Sequence, residues 1–527
     1  MATPLQFLRN WLPLGGPEDA TRTADALREW ISTLDDAPPQ DIAAALSGRL
    51  LPLVSAQPNL HMRTRLLDAF EEAAHKVLPA LEDEIRQAEI PLTPQTKALA
   101  LTADNLLKTQ IQGYLTIVSS IEGHKPGTLP EPLLQHVILH AMYALQRRQM
   151  LAYRAYATPS TASWQHLHDL HRIARSHGLS KASKNSLSIE HVYIAALLLA
   201  YAEPGKFPRS DLDTLRACAD RMSALVRLSE TNEPLGTEAP SHLFLVRTDS
   251  GQPGAPFLRT PKASDARHCL IVDCGAVVAA LNEEIAHRTH PVFEHETMLP
   301  QVGEPILKLL LQMWGSQPIR RFSRMRFKLR ADIVSSLPDV IQMIDGDALR
   351  RRRNDGDSQS GPPPPPISEW AIVDESPDGF GIRYLKGPIR RLEVGELVGL
   401  RSREHSRIHL CLVRRATNAG QTCFEIGLQG LSPRALVVAL PQPDDSPPRT
   451  AILLPQLPAY GGVAGIIGAP GSLPADMEIP YQPPGKFVRL RLGRPIEINT
   501  RLEFYLLEEV SYSPVANLGD RISSRSD

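Results

Sequence analysis

The sequence predicts a multidomain α+β chain: an all-helical N-terminal domain over 1–232, a small central α/β segment over 239–318, a small β-barrel over 319–442 and a small C-terminal β-domain over 447–512. Three observations carry that prediction. At 527 residues the chain exceeds what one apolar core organises. Beyond Leu228 the apolar spacing changes from the three-and-four period of helices to the short alternating runs of strands. Clusters of Pro, Gly and polar residues mark the borders. An apolar share of 42% is that of an ordinary folded protein.

From Asp19 to Leu228 the pattern is helical, with Leu27, Trp30, Ile31 and Leu34 forming one stripe. Thr93 and Pro94, a capping side chain followed by proline at the first turn, open a longer helix through Leu106, Ile111, Leu115 and Ile121. Further helices are expected over Pro130 to Tyr156, Ser163 to His177, Ser188 to Ala202 and Ser210 to Leu228. Antiparallel packing through short loops follows. After the Ser229–Gly236 stretch, His242 to Val246 and Cys269 to Asp273 read as strands, with helices over Gly275 to His287 and Pro305 to Trp314.

The third segment opens on Ile319-Arg-Arg-Phe-Ser-Arg-Met-Arg. A polar insert near 346–366 follows, with arginines at 350 to 353 and prolines at 362 to 366, and it is expected to be disordered. Strands are expected at Trp370 to Val373, Gly381 to Leu385, Leu397 to Leu400, His409 to Val413 and Phe424 to Leu428; short strands at such spacing suggest a barrel. Ala451 to Leu454, Val463 to Ile467, Phe487 to Leu492 and Leu502 to Val510 suggest a second β-domain, followed by a disordered tail over 513–527.

With 57 basic and 58 acidic side chains the net charge is −1, which argues against a general DNA or anionic-membrane binder. Five cysteines without CxxC spacing point to neither disulfides nor zinc. No leader pattern and no apolar run long enough for a transmembrane segment is evident, so a cytoplasmic location is expected.

Two short elements flank the insert. Arg320 and Arg324 are four apart, with Arg321 between them, at the entrance to a strand. A guanidinium bonds phosphate oxygens in pairs and stacks on a base. Downstream, Asp374-Glu-Ser-Pro-Asp-Gly stands where a strand ends and turns. There Asp374 can accept from the N–H edge of a guanine, Ser376 can donate to phosphate or cap the turn, and Gly379 lets backbone approach a ligand.

An RxxxR element followed by [DN]xSxxG resembles the PilZ family, receptors for cyclic di-GMP built on a small β-barrel, and the Leu410–Arg415 and Phe424–Gln429 strands are similar to the pair that closes such barrels. The resemblance implies a PilZ-like barrel in which Arg320, Arg321 and Arg324 grip phosphate and guanine while Asp374, Ser376 and Gly379 hold the other guanine edge and the backbone. Arg326 and Arg330 form a competing pair with the same spacing, and the gap between Arg324 and Asp374 is longer than the family usually keeps.

Other clusters favour structural readings. His136 and His140 lie four apart without an evident third ligand, and His287, His290 and His295 with Glu283 and Glu284 match no metal spacing. No nucleophile and base, GxGxxG or P-loop pattern stands out, so no catalytic residue, metal or cofactor is expected. The reading is a non-enzymatic cyclic di-GMP receptor that relays binding to a protein partner through its helical domain. The alternative is an interaction scaffold whose degenerate barrel binds no nucleotide.

Overall fold

The computed structural model describes residues 37–56, 59–122, 131–180, 188–230, 240–257, 269–289, 298–315, 325–326, 329–352, 364–388, 392–404, 407–418, 423–432, 434–440, 449–474, 477–481 and 488–511, with single positions 25, 28 and 29. The chain divides into two compact units, 1–321 with 417–422, and 322–416 with 423–527.

In the first unit, helices α1 (Pro39–Ala56), α2 (Leu60–Gln87), α3 (Pro94–Glu122), α4 (Glu131–Arg154), α5 (Thr161–Ser176), α6 (Ile189–Tyr201) and α7 (Leu212–Met222) follow one another. Local chemistry starts them: Asn59 Oδ1 accepts from the His61 N–H, Thr93 Oγ1 from Thr96 and Ser160 Oγ from Ser163. At the other end of α2, buried Arg209 donates to the carbonyls of Ile85 and Ala88, cations and donors being favoured where helix carbonyls run out of partners. The apolar run of α6 is buried on nearly every side.

Residues 227–228, expected to end a helix, instead begin strand β1 (Arg227–Glu230), which pairs with β4 (Cys269–Asp273) beside β2 (Leu243–Arg247) and β3 (Ala255–Pro256). Pairing to the edge of β4 outweighs the local helical period there. Helices α8 (Gly275–Thr289) and α9 (Glu304–Trp314) complete the α/β segment. The helical and α/β segments share one apolar core, in which Trp314 donates from Nε1 to the Leu198 carbonyl at 2.9 Å.

In the second unit, the strands are β5 (Met325–Arg326), β6 (Arg330–Ser335), β7 (Ser368–Ser376), β8 (Gly379–Lys386), β9 (Leu397–Ser402), β10 (Ile408–Asn418) and β11 (Phe424–Ser432). Among the described residues, six of them close a barrel in the order β7-β6-β9-β10-β11-β8 and back to β7, while β5 pairs farther along the β7 edge that β6 uses. Trp370 fills the interior, packed edge-to-face on Tyr384 with its indole N–H donating to Ser368.

A helix that the apolar spacing does not predict, α10 (Leu337–Arg352), follows β6 and enters the 346–366 stretch. Ser336, at φ 78°, caps it: its Oγ accepts from the Asp339 N–H, and Pro338 sits in the first turn. Strands β12 (Leu436–Ala439), β13 (Thr450–Leu457), β14 (Val463–Gly468), β15 (Glu478–Tyr481), β16 (Val488–Ile498) and β17 (Glu503–Ser511) form a second sheet in the order β12-β13-β14-β17-β16-β15. Val340 of α10, Leu410 and Leu412 of β10, and Ile452 and Phe504 of this sheet share a core.

Candidate functional site on the outer barrel face

Ile372 and Ile382 are Cα partners across β7 and β8, and both are buried in the barrel interior. Side chains alternate along a strand, so Gly381 and Arg383 point outward. A bulge between Ile372 and Asp374 lets Asp374, two steps along β7, face Gly381, only one step along β8. Asp374 therefore shares the outer row of Gly381.

That row runs across four strands. Arg326 pairs with Asp374, Asp374 with Gly381, and Gly381 with Gly427. The Asp374 carboxylate folds over the first glycine: a Cβ at position 381 would stand 2.4 Å from Asp374 Oδ1. Two adjacent glycines leave a floor of bare backbone beside a carboxylate, a surface on which a flat ring can lie.

The neighbouring row is charged. Arg330 pairs with Ala371, Ala371 with Arg383, and Arg383 with Glu425. Arg383 Nη2 donates to Glu425 Oε1 at 2.6 Å, a bond that raises the arginine's pKa further. Arg330 Nη1 donates to Glu369 Oε1 at 2.6 Å, with Arg403 and Lys386 at 3.1 and 3.5 Å from the other carboxylate oxygen. Burial opposes the charge on Glu369, but the Arg330 hydrogen bond and the two further cations hold it below the usual carboxylate range.

On the other side of the glycine row, Ser376, Gly379 and Gln429 are successive Cα partners. The turn itself is Pro377-Asp378, so Asp374 is a strand residue and not the turn residue that the sequence suggests. Past the bulge, Asp374, Glu375 and Ser376 still pair with Gly381, Phe380 and Gly379, so the reversal falls three residues later. Of the two roles open to Ser376, the structure contains the turn-capping one, Oγ donating to the Gly379 carbonyl at 3.3 Å. Gly379 adopts φ 152°, and a Cβ there would lie 1.8 Å from the Leu428 carbonyl oxygen. The close approach that demands glycine is thus made by β11.

Arg320, Arg321 and Arg324 lie outside the described residues. Arg324 directly precedes Met325 in sequence, and Met325 is the Cα partner of Glu375, next to Asp374. In the competing pair, Arg326 occupies the glycine row by register and Arg330 is an exposed partner of Glu369. The site residues missed in the sequence are Gly381, Gly427 and Arg383. Their signal is faint: a glycine two residues past the motif glycine, an arginine two residues beyond that, and a glycine on the wet face of Phe424-Glu-Ile-Gly-Leu-Gln.

The other candidates resolve into structure. His136 and His140 bond Asp68 and Glu71 at 3.0 and 2.6 Å, and Glu284 receives Arg288 and the Met298 N–H. His290 and His295 lie outside the described residues. Among the described residues, no group of three or more His, Cys, Asp or Glu side chains is arranged to hold a metal ion, and no helix is long and apolar enough to cross a membrane.

Residues 25–234 match the family described as cyclic-di-GMP receptor FimW, N-terminal domain, and residues 340–436 match cyclic-di-GMP receptor FimW, middle PilZ domain. The second match begins within α10, contains Asp374, Ser376, Gly379, Gly381 and Gly427, and starts beyond Arg324. No curated protein and no solved structure matches the chain.

Proposed function

The chain belongs to the PilZ-domain proteins, and from that premise we propose that it is a receptor that binds cyclic di-GMP on the outer face of its barrel. The observation that carries this reading is the Asp374–Gly381–Gly427 row. A guanine lying on the glycine floor offers its N–H edge to the Asp374 carboxylate, and Ser376 and the motif backbone flank it. Arg320, Arg321 and Arg324 supply the guanidinium forks for the two phosphates from the segment that leads into β5. The grip of these arginines on the ligand is the switch in this reading.

The helical segment, whose counterpart is the N-terminal domain of the matched receptor family, relays the bound state by protein contact in this reading. No catalytic residue, metal or cofactor enters it.

Calorimetric titration of the full chain with cyclic di-GMP tests the proposal. A saturable heat is expected for the wild type, and the Arg324→Ala, Asp374→Ala double variant is expected to bind at least ~100-fold more weakly, two charge-assisted contacts being lost. A wild type that gives no heat at high ligand concentration rejects the receptor reading and leaves the scaffold.

A further inference from the structure

Arg414 of β10 joins the motif hairpin to the C-terminal sheet. Its Nε donates to Gln429 Oε1 at 2.7 Å, and Gln429 is the Cα partner of Gly379. Its Nη1 donates to Glu497 Oε2 of β16 at 2.5 Å. The chain of bonds continues beyond Glu497. Asn499 Nδ2 donates to Glu497 Oε1 at 3.1 Å and to the Gly395 carbonyl at 3.3 Å. Asn499 Oδ1 accepts from the backbone N–H groups of Arg501 and Leu502 at 2.8 and 3.0 Å, which holds the turn between β16 and β17. Arg501 then bonds buried Glu393 and Glu396.

We propose that Arg414 is the residue through which cyclic di-GMP on the barrel acts on the C-terminal sheet, an inference that rests on the receptor reading above. The Arg414 side chain is 40% exposed and its guanidinium has five donors, so a phosphate arriving beside Gln429 can claim it. A phosphate accepts charge-assisted bonds in pairs, whereas Gln429 offers one neutral oxygen and Glu497 one carboxylate oxygen.

Glu497 is only 16% exposed, and losing its cation leaves a poorly hydrated carboxylate held by Asn499. Asn499 follows that carboxylate, and the Arg501 and Leu502 amides lose their acceptor. Arg383 and Arg330 do not offer such a path, because their carboxylates, Glu425 and Glu369, are residues of the barrel itself.

Amide hydrogen exchange of the full chain, with and without saturating cyclic di-GMP, tests the coupling alongside calorimetry. In the wild type, peptides covering 496–503 are expected to exchange ~5-fold faster or more with ligand, as a local opening replaces held turn amides. In Glu497→Gln no uncompensated carboxylate forms when Arg414 turns to the ligand, so the same peptides stay slow and change little with it. Affinity in that variant tightens ~3-fold or more, because the competing carboxylate is gone. Arg414→Met binds more weakly, and its turn ignores the ligand.

Ligand heat in the wild type without any change at 496–503, or a full ligand response retained in Glu497→Gln, overturns the coupling alone. Absence of heat in the wild type removes the receptor reading and the coupling with it.

Discussion

Asp374 and Gly381 are Cα partners across β7 and β8, and the carboxylate of the first occupies the space where the second would carry a side chain. The β-bulge before Asp374 creates this relationship, and the missing Cβ at Gly381 permits it. The neighbouring Gly427 extends the bare backbone to β11.

Gly381→Ala is expected to separate binding from folding. The added methyl meets the far end of the Asp374 side chain, which can swing away, so the stability loss stays below about 1 kcal/mol. The carboxylate then leaves the glycine floor, and cyclic di-GMP affinity falls at least ~10-fold as an oriented charge-assisted bond is lost. Urea melts and calorimetry on the same variant check both halves; unchanged affinity contradicts the role given to this row.

Gly379→Ala behaves in the opposite way. Its methyl would meet the Leu428 carbonyl, a backbone atom that cannot rotate aside, at a φ that favours glycine. A loss of at least about 1–3 kcal/mol is expected from the backbone strain, visible as a lower urea midpoint without ligand. A variant as stable as the wild type would show that β11 does not approach so closely.

Trp370 anchors the barrel interior. Trp370→Ala removes a fully buried ring that packs on Tyr384 and Phe424, and about 3–5 kcal/mol of stability should go with it. Trp370→Phe retains much of the packing but leaves Ser368 without the indole donor, so it should cost less. The ranking of the two urea midpoints checks the assignment.

The pair between His140 of α4 and Glu71 of α2 predicts a pH optimum for the helical segment. The Glu71 hydrogen bond raises the His140 pKa against partial burial. Burial works against the Glu71 charge, yet the His140 and Tyr114 hydrogen bonds hold its carboxyl below the usual range. A raised imidazole pKa contributes stability that is full below its unfolded value, about 6.5, and fades as pH rises through the native value. A depressed carboxyl contributes stability that is full above about 4.3 and fades as pH falls.

Asp68, His75, His136 and Tyr114 also face this pair. Thermal melts should therefore peak near about pH 5–6, and His140→Gln should flatten the decline towards pH 8. An equally steep decline in that variant would assign the slope to another group.

Much of this architecture is written in short-range pattern. The alternation of Ile426 and Leu428 with Gly427 and Gln429 marks a strand with one buried face, and Thr93-Pro94 marks a helix start. The motif Asp374 to Gly379 is likewise visible as a string.

What the string does not contain is register. Gly381 and Gly427 are far apart in sequence and meet only because β8 and β11 pair with Ile382 opposite Ile426. The bulge that carries Asp374 into the strand has no marker at Val373. Helix α10 escaped because its apolar side chains, Val340 and Met343 among them, pack into a core supplied partly by the C-terminal sheet, while Gly346 and the arginine run weaken its local period. The arginine arm was legible as a motif, and its placement depends on residues beyond those described.

Photo-crosslinking of labelled cyclic di-GMP to the full chain, followed by peptide mapping, tests the central claim most directly. Adducts are expected in peptides covering 374–383 or 425–429, with competition by unlabelled ligand. Competed adducts confined to 1–315 would place the nucleotide site in the other compact unit and contradict the assignment to the barrel face.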